Sequence, residues 1–382
     1  MEPTHPSVMI DNQVMDLSTV MKEQTKPITE VVNDVLTIDE FKALHYIYLT
    51  GDGDSYHAAL ATEMVFKSIA DVYCEPMSAM RFLEYGADYV PATFPKDTLV
   101  IGISASGGTE RVAQALSRAK QDRENLITAV LSGNVEGKVG KEAERKISVE
   151  LPDKGRSPGI RTYQASLMGL ILLAIRIAEA NERIDKSKAN SLRTEIEELA
   201  GVIDKTIESL LVPSEAAAKT LKDANYMVFV GSGPSYGTAM FSAAKVVEAA
   251  GVFCIAQDLE EWAHVENLAY PDDTPTFVIA PPGKSYWRAE ELAKAAKEKG
   301  RRVFAIVNQD DKGVSQYADH VLPVVGGVRE EFSPLVYHIA ADLFAANLTM
   351  ELGRSLFQSD RPEVLERWAA MEAAQKQQQS GE

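Results

Sequence analysis

The chain has 382 residues, of which 45% are hydrophobic and 25% charged, with a formal net charge of −17. That length suggests two or three domains with ample core. The acidic balance argues against nucleic acid or an anionic membrane as a partner, because both need a basic face, but it leaves a phosphorylated small molecule open.

Residues 1–16 carry no basic region followed by an apolar core, so no secretory signal is expected and they read as a loose tail. Thr19 to Leu36 reads as an amphipathic helix. Strands and helices then alternate: strand Tyr46–Thr50, helix Ser55–Ala70, strand Val72–Glu75, short helix Ser78–Tyr85. Strand Leu99–Ile103 and helix Thr109–Lys120 follow, then strands Leu126–Leu131 and Lys146–Leu151. Leu167–Ala180 reads as an apolar helix. Its richest run, Leu167 to Ile177, is too short for a membrane span and contains Arg176. Ser187–Leu211 reads as a long connecting helix with polar faces.

The alternation then restarts with strand Tyr226–Val230, helix Ser235–Ala250 and strand Val252–Ile255. Strand Phe277–Ala280, helix Tyr286–Lys299 and strands Arg302–Val307 and His320–Pro323 come next. Helix Leu335–Glu351 and a polar helix Pro362–Lys376 follow, and residues 377–382 are expected to be disordered. Such alternation predicts an α/β fold with parallel sheets covered on both faces.

The second half repeats the first. Gly51-Asp-Gly-Asp-Ser-Tyr56 recurs as Gly231-Ser-Gly-Pro-Ser-Tyr236, an offset of 180, and Val72-Tyr-Cys74 recurs as Val252-Phe-Cys254 at the same offset. Thr98-Leu-Val-Ile101 recurs as Thr276-Phe-Val-Ile279, an offset of 178. The expected organisation is two similar doubly wound parallel-sheet subdomains, over 20–186 and 213–355, with a helical connector at 187–212 and a tail at 356–382.

One stretch carries the strongest chemical signal. Ser104-Ala-Ser-Gly-Gly-Thr109 follows a strand and opens a helix, so its backbone N–H groups and three hydroxyls can hold an anion such as phosphate at the helix N-terminus. The same pattern also fits an ordinary N-cap. The second copy reads Ala280-Pro-Pro-Gly-Lys-Ser285, whose two prolines remove two backbone donors, so one phosphate site per chain is expected. Gly51-x-Gly53 lacks the third glycine of a dinucleotide fingerprint. With only Cys74 and Cys254, no disulfide framework is expected and the reducing cytoplasm is the expected compartment. His5, His45, His57, His264, His320 and His338 form no metal-ligand spacing, so no metal is expected.

The two loops, GDGDSYHAA and ISASGGTE, resemble the sugar isomerase (SIS) domain of phosphosugar-binding proteins. The duplicated arrangement, over roughly residues 20–360, is similar to the isomerase half of glucosamine-6-phosphate synthase and to the fructosamine-6-phosphate deglycases. The fold so implied is tandem SIS domains. The resemblance implies phosphate contacts from Ser55, Ser104, Ser106 and Thr109. Two departures stand out: Asp52 and Asp54 lie where relatives commonly have small or neutral residues, and Ala105 where the synthases have glutamine. The resemblance also implies a glutamate base that moves a proton between sugar carbons 1 and 2, and a histidine sixteen residues later that serves in ring opening from the partner subunit of a homodimer. Those positions are Glu248 and His264, although Val265-Glu266-Asn267 replaces the Gly-Pro typical of relatives. On the residues alone, Glu248 could equally be a solvated partner of Lys245 three positions back, and His264 a structural histidine beside Trp262. Glu261 is a reserve acid, Arg161 a candidate ligand contact, and Tyr56 and Tyr236 packing residues.

No N-terminal cysteine nucleophile is visible, so the resemblance does not extend to glutaminase activity. Gly353 to Val364 contains no lysine to match the one the synthases use near the sugar carbonyl. The expected function is a deglycase or deaminase acting on a 6-phosphorylated amino sugar or sugar–amine conjugate without a cofactor. A sugar-phosphate isomerase and a non-catalytic sugar-phosphate-binding regulator are the alternatives.

Overall fold

The computed structural model describes residues 4–121, 123–269 and 271–380, and these hold ten strands in two sheets. The first sheet comprises β1 (Tyr46–Gly51), β2 (Tyr73–Ser78), β3 (Thr98–Ile103), β4 (Ile127–Ser132) and β5 (Arg145–Ser148), in the order β2-β1-β3-β4-β5. The second comprises β6 (Tyr226–Val230), β7 (Phe253–Gln257), β8 (Thr276–Ala280), β9 (Val303–Asn308) and β10 (His320–Val324), in the order β7-β6-β8-β9-β10. Every pairing is parallel and the two orders are the same, so the repeat seen in the sequence is a repeat of topology.

Strand alternation divides each sheet between two cores. Leu99, Ile101 and Ile103 of β3, like Phe277 and Ile279 of β8, face one large core between the sheets. Val100 joins an outer core of the first half and Val278 one of the second. The principal helices are α1 (Leu17–Asp34), α2 (Asp54–Ser68), α3 (Glu110–Lys120), α4 (Ile160–Ala180) and α5 (Lys186–Leu221), followed by α6 (Pro234–Ala250), α7 (Leu259–His264), α8 (Tyr286–Glu298), α9 (Ile339–Glu351) and α10 (Pro362–Ser380). Helices α2 and α6, which follow the first strand of each half, press together. A Cβ on Gly237 would lie 2.4 Å from Ala61 N, so only glycine allows this approach.

Several expectations are corrected. Of the expected loose tail at 1–16, residues 1–3 lie outside the described residues and 4–16 are no loose tail: Ser7–Asn12 is helical, Met9 and Val14 are core residues, and Asp16 pairs with Arg161. Apolar anchors three to five apart, not charge content, fix this segment. Helix α4 begins seven residues before the expected Leu167, because Ile160 and Tyr163 are also core. By length and composition α4 could cross a bilayer, with a mean hydropathy of 1.3 over its richest window, but 89% of that window is buried inside the protein. Helix α5 runs through Pro213 to Leu221 instead of ending at Leu211, since Ala217, Ala218 and Leu221 continue its buried stripe. The expected Leu335–Glu351 helix is broken at His338 into Pro334–Tyr337 and α9. Helix α10 reaches Ser380 where disorder was expected from 377, and residues 381–382 lie outside the described residues.

Candidate active site

In a sheet of this order the chain leaves β1 and β3 in opposite directions, and their carboxyl ends open a crevice where ligands bind in such folds. Both expected loops lie there. Gly51 is so close to the neighbouring strand that a Cβ would sit 3.1 Å from the Ile103 carbonyl oxygen, and Gly53, at φ 55°, turns the chain into α2. Gly233 makes the same turn in the second half at φ 59°. Ser55, in the first turn of α2, is buried.

The second loop is anchored from below. At Gly107 φ is 68° and a Cβ would lie 2.0 Å from the Asn134 carbonyl oxygen, so the loop is seated on the chain leaving β4. Ser104 and Thr109 hydroxyls hydrogen bond to each other at 2.8 Å, and the Gly108 N–H donates to Ser106 Oγ at 3.3 Å. Thr109 occupies the N-cap position of α3, but its hydroxyl is turned to Ser104 and makes no cap to its own helix. Among the described residues no side chain caps the first-turn N–H groups of α3, which favours an anion there.

A cleft of about 760 Å³ opens beside this loop, bounded by Ser106, Asn134, Lys154, Gly159, Arg161 and Thr162 among others. Arg161 is buried, pairs with Asp16 at 2.6 Å and donates to the Pro152 carbonyl at 2.8 Å. These bonds make it a structural tie between the cleft wall and the N-terminal segment.

Each aspartate of the first loop has a partner. Asp52 accepts from Ala79 N at 3.2 Å, at the start of the short helix after β2. Asp54 Oδ2 accepts from Lys245 Nζ at 2.6 Å, and the same ammonium donates to Glu248 Oε2 at 2.6 Å. The Lys245 side chain is 0% exposed, whereas that of Glu248 is 36% exposed. Glu248 is therefore both the partner of Lys245 and a member of a partly buried cluster reaching across from α6 to the loop that carries Ser55. Burial is the largest influence on each group. It would raise Asp54, but the charges and hydrogen bonds of Lys245 and His57 together outweigh it and hold that carboxyl below its usual range. It raises Glu248, with Lys245 opposing and Asp54 adding to the rise, so that carboxyl lies above its usual range. Burial would lower Lys245, but the two carboxylates raise it and keep it charged.

Beneath the cluster, Tyr163 stacks on Phe241 with centroids 3.7 Å apart, and His338 meets both rings edge-on. His338 joins Asp342 at 2.6 Å and Gln164 at 2.9 Å, a buried polar bridge from α9 to α4.

His264 is not brought to this cluster within the chain. It ends helix α7 on the face opposite the buried Leu259 and Trp262, with its side chain 71% exposed, and its Nε2 lies 3.0 Å from Glu260 Oε1, which Arg288 also holds at 2.9 Å. Glu261 is likewise on α7. Sequence reasoning paired Lys245 with Glu248 but missed that Asp54 meets the same lysine. The available signal was a lysine among Ala243, Ala244, Val246 and Val247, an apolar setting that a lysine rarely enters unpaired.

Two halves of one parallel α/β topology, with a hydroxyl-rich helix start open in one of them, define the class of the protein. A sequence profile of the SIS domain matches residues 41–176 and 220–352, and the chain belongs to that family. It is 24% identical over 339 residues to a glutamine–fructose-6-phosphate aminotransferase (isomerizing) of Gloeobacter violaceus, covering 88% of this chain and 54% of the relative. It is 26% identical to the enzyme of that name from Thermococcus kodakarensis, covering 96% and 58%. The chain thus spans just over half the length of these relatives. Among solved structures it is similar to the C-terminal domain of glucosamine-fructose-6-phosphate aminotransferase from Francisella tularensis, with TM-score 0.74, 16% identity and coverage of 90% of this chain and 97% of that one. Glucosamine-6-phosphate deaminase from Thermotoga maritima gives TM-score 0.67 at 19% identity, covering 91% and 97%. Tagatose-6-phosphate ketose/aldose isomerase from Escherichia coli gives 0.71 at 14%, covering 94% and 97%. At these identities the likeness is one of fold.

Proposed function

We propose that the protein is an enzyme that acts on a 6-phosphorylated amino sugar or sugar–amine conjugate, moving a proton between C1 and C2 and releasing the amine. The observation that carries this reading is the Lys245 bridge, which ties the Glu248 carboxylate to the loop holding Ser55. Ser55, Ser104, Ser106, Thr109 and the open amides of α3 anchor the phosphate. Glu248, raised by burial, is a base suited to a weakly acidic carbon-bound proton near neutral pH. In an open-chain fructosamine 6-phosphate the amine is on C1 and the ketone on C2. Glu248 takes a proton from C1 as the C2 carbonyl oxygen gains one, giving an enaminol; return of a proton to C2 with loss of the amine N–H proton leaves an imine at C1 and a hydroxyl at C2. Water adds to that imine and the amine departs with a proton, giving an aldose 6-phosphate. No metal or cofactor enters these steps.

The names of the relatives support a phosphosugar substrate, since they act on fructose 6-phosphate, glucosamine 6-phosphate or tagatose 6-phosphate. Amine release is favoured over plain isomerisation because residues 353–364 carry no lysine, as in the deglycases. His264 fits ring opening only if a second copy delivers it, so the reading includes a homodimer with shared sites, working in the cytoplasm. The boundaries 20–186 and 213–355 for the two halves belong to the same reading.

The test is turnover of glucosamine 6-phosphate and fructosamine 6-phosphates, following amine and ketose or aldose separately. Amine release abolished by Glu248→Gln supports the reading. Interconversion without amine release makes the protein an isomerase, and ligand binding without any turnover makes it a regulator. Mixing inactive Glu248→Gln and His264→Ala chains should restore part of the activity if sites are shared, and no recovery on subunit exchange rejects the sharing.

A further inference from the structure

We propose that Asp54 is a positioning residue of this site: by holding Lys245 from the side opposite Glu248, it keeps the ammonium shared and leaves Glu248 free to act as a base. The inference rests on the function proposed above. The geometry is a line of three charges, Asp54 Oδ2 to Lys245 Nζ at 2.6 Å and Lys245 Nζ to Glu248 Oε2 at 2.6 Å. Two carboxylates share one ammonium, so the cluster has one uncompensated negative charge. That charge falls on the carboxylate best reached by solvent and substrate. Glu248 is 36% exposed and Asp54 23%. Asp54 is further confined because its Oδ2 lies 3.2 Å from where a Cβ on Gly159 would stand, at the wall of the cleft.

The lysine is held on two sides. One N–H goes to each carboxylate, and its Nζ lies 4.8 Å from the centroid of the Phe241 ring. It acts as a fixed cation between two anions. With Asp54 neutral, the whole charge of Lys245 would be directed at Glu248, forming a tight partly buried pair in which the carboxylate is a poorer base.

The groups around Glu248 support this arrangement. From its own helix comes Lys245. From α2 come Asp54 and His57, whose Nδ1 lies 3.7 Å from Asp54 Oδ1, with neither atom hydrogen bonded elsewhere. On the α9 side Asp342, which is paired with His338, acts on Lys245 and Asp54. Among these Asp54 is the anion bonded to the same ammonium as Glu248, and it contributes to the raised carboxyl of Glu248.

The test is the pH profile of kcat/KM with a fructosamine 6-phosphate for the wild-type protein and Asp54→Asn. The acid limb should move to lower pH by about one unit, with kcat at pH 7 falling roughly tenfold and KM changing less than about threefold, because the phosphate contacts remain. A general loss of structure would lower activity without moving the limb. In parallel, carbon-13 NMR of the side-chain carboxyls, assigned with Glu248→Gln, follows the titration of Glu248 with no need for turnover. Its midpoint should fall in Asp54→Asn. An unmoved midpoint overturns the role of Asp54 even if the enzyme is active. Absence of turnover in the wild type with a shifted midpoint overturns the proposed function and leaves the electrostatic coupling standing. Asp54→Ser, which drops the charge and restores a small neutral residue, gives the same readouts where Asp54→Asn does not fold.

Discussion

The starts of α3 and α8 occupy the same place in the two halves, and they are treated in opposite ways. In the first half Thr109 turns its hydroxyl to Ser104 and leaves the helix start open. In the second, Pro281 and Pro282 have no N–H to offer, and Glu330 brings its own carboxylate to the loop. Both of its oxygens lie 3.1 Å from Lys284 N, and a Cβ on Gly283 would strike that side chain. One helix N-terminus is free for an anion from outside, and the other already holds an anion from inside. The first loops diverge in the same manner. Asp52 reaches the start of the helix after β2, whereas at the matching position Ser232 donates to Asp258 Oδ2 at 2.5 Å, and Asp258 caps α7. The two copies share the scaffold, and the polar atoms at the strand ends decide which helix start is left open. The second half reaches the first through α6, whose Lys245 joins Glu248 to Asp54.

This comparison can be broken by experiment. The largest effect is expected for Glu248→Gln: turnover should fall by ~10²- to 10⁴-fold with ligand binding retained. Activity within threefold of wild type would remove Glu248 from the chemistry. Next comes Ser104→Ala with Thr109→Ala, which removes two hydrogen bonds to a charged ligand, each worth roughly 1.5–3 kcal/mol. Phosphosugar affinity, read by calorimetry, should drop well over tenfold, whereas Ser285→Ala in the second half should leave it within about twofold. Equal losses in both halves would erase the asymmetry.

Gly107→Ala should cost about 1–3 kcal/mol of stability, read by chemical denaturation, because φ is positive and the Asn134 carbonyl blocks a side chain. The smallest effect is expected for Glu330→Gln. Removing a carboxylate from the start of α8 should cost about 0.3–1 kcal/mol and leave phosphosugar affinity unchanged. Acid should expose the cross-half bond: the Asp54 carboxyl lies below its unfolded value, so its contribution is present above that value and is lost as pH falls through the folded one. Asp54→Asn should therefore flatten the acid side of the stability curve measured by thermal melts, and an unchanged slope there would mean that the Asp54–Lys245 bond contributes nothing.

Period and punctuation in the chain were enough to identify ten strands, their grouping into two copies and the loop at 104–109. Strands buried on both faces are short unbroken apolar runs, and the turns at Gly53 and Gly233 need glycine because φ is positive. The places that reasoning lost depend on distant contacts. The first sixteen residues look like a polar tail until Asp16 meets Arg161, and Pro213 looks like a helix end until the stripe beyond it finds α9. Asp54 looks like a charge hostile to phosphate until Lys245, 191 residues further on, reaches it. A local pattern determines which backbone conformation is satisfied, so the sequence by itself determined the two α/β copies and the single open anion loop. The pairing of buried charges depends on which helices are pressed together, and only the packing of α2 on α6 decided that Asp54, Lys245 and Glu248 form one cluster while His264 stands apart on the surface.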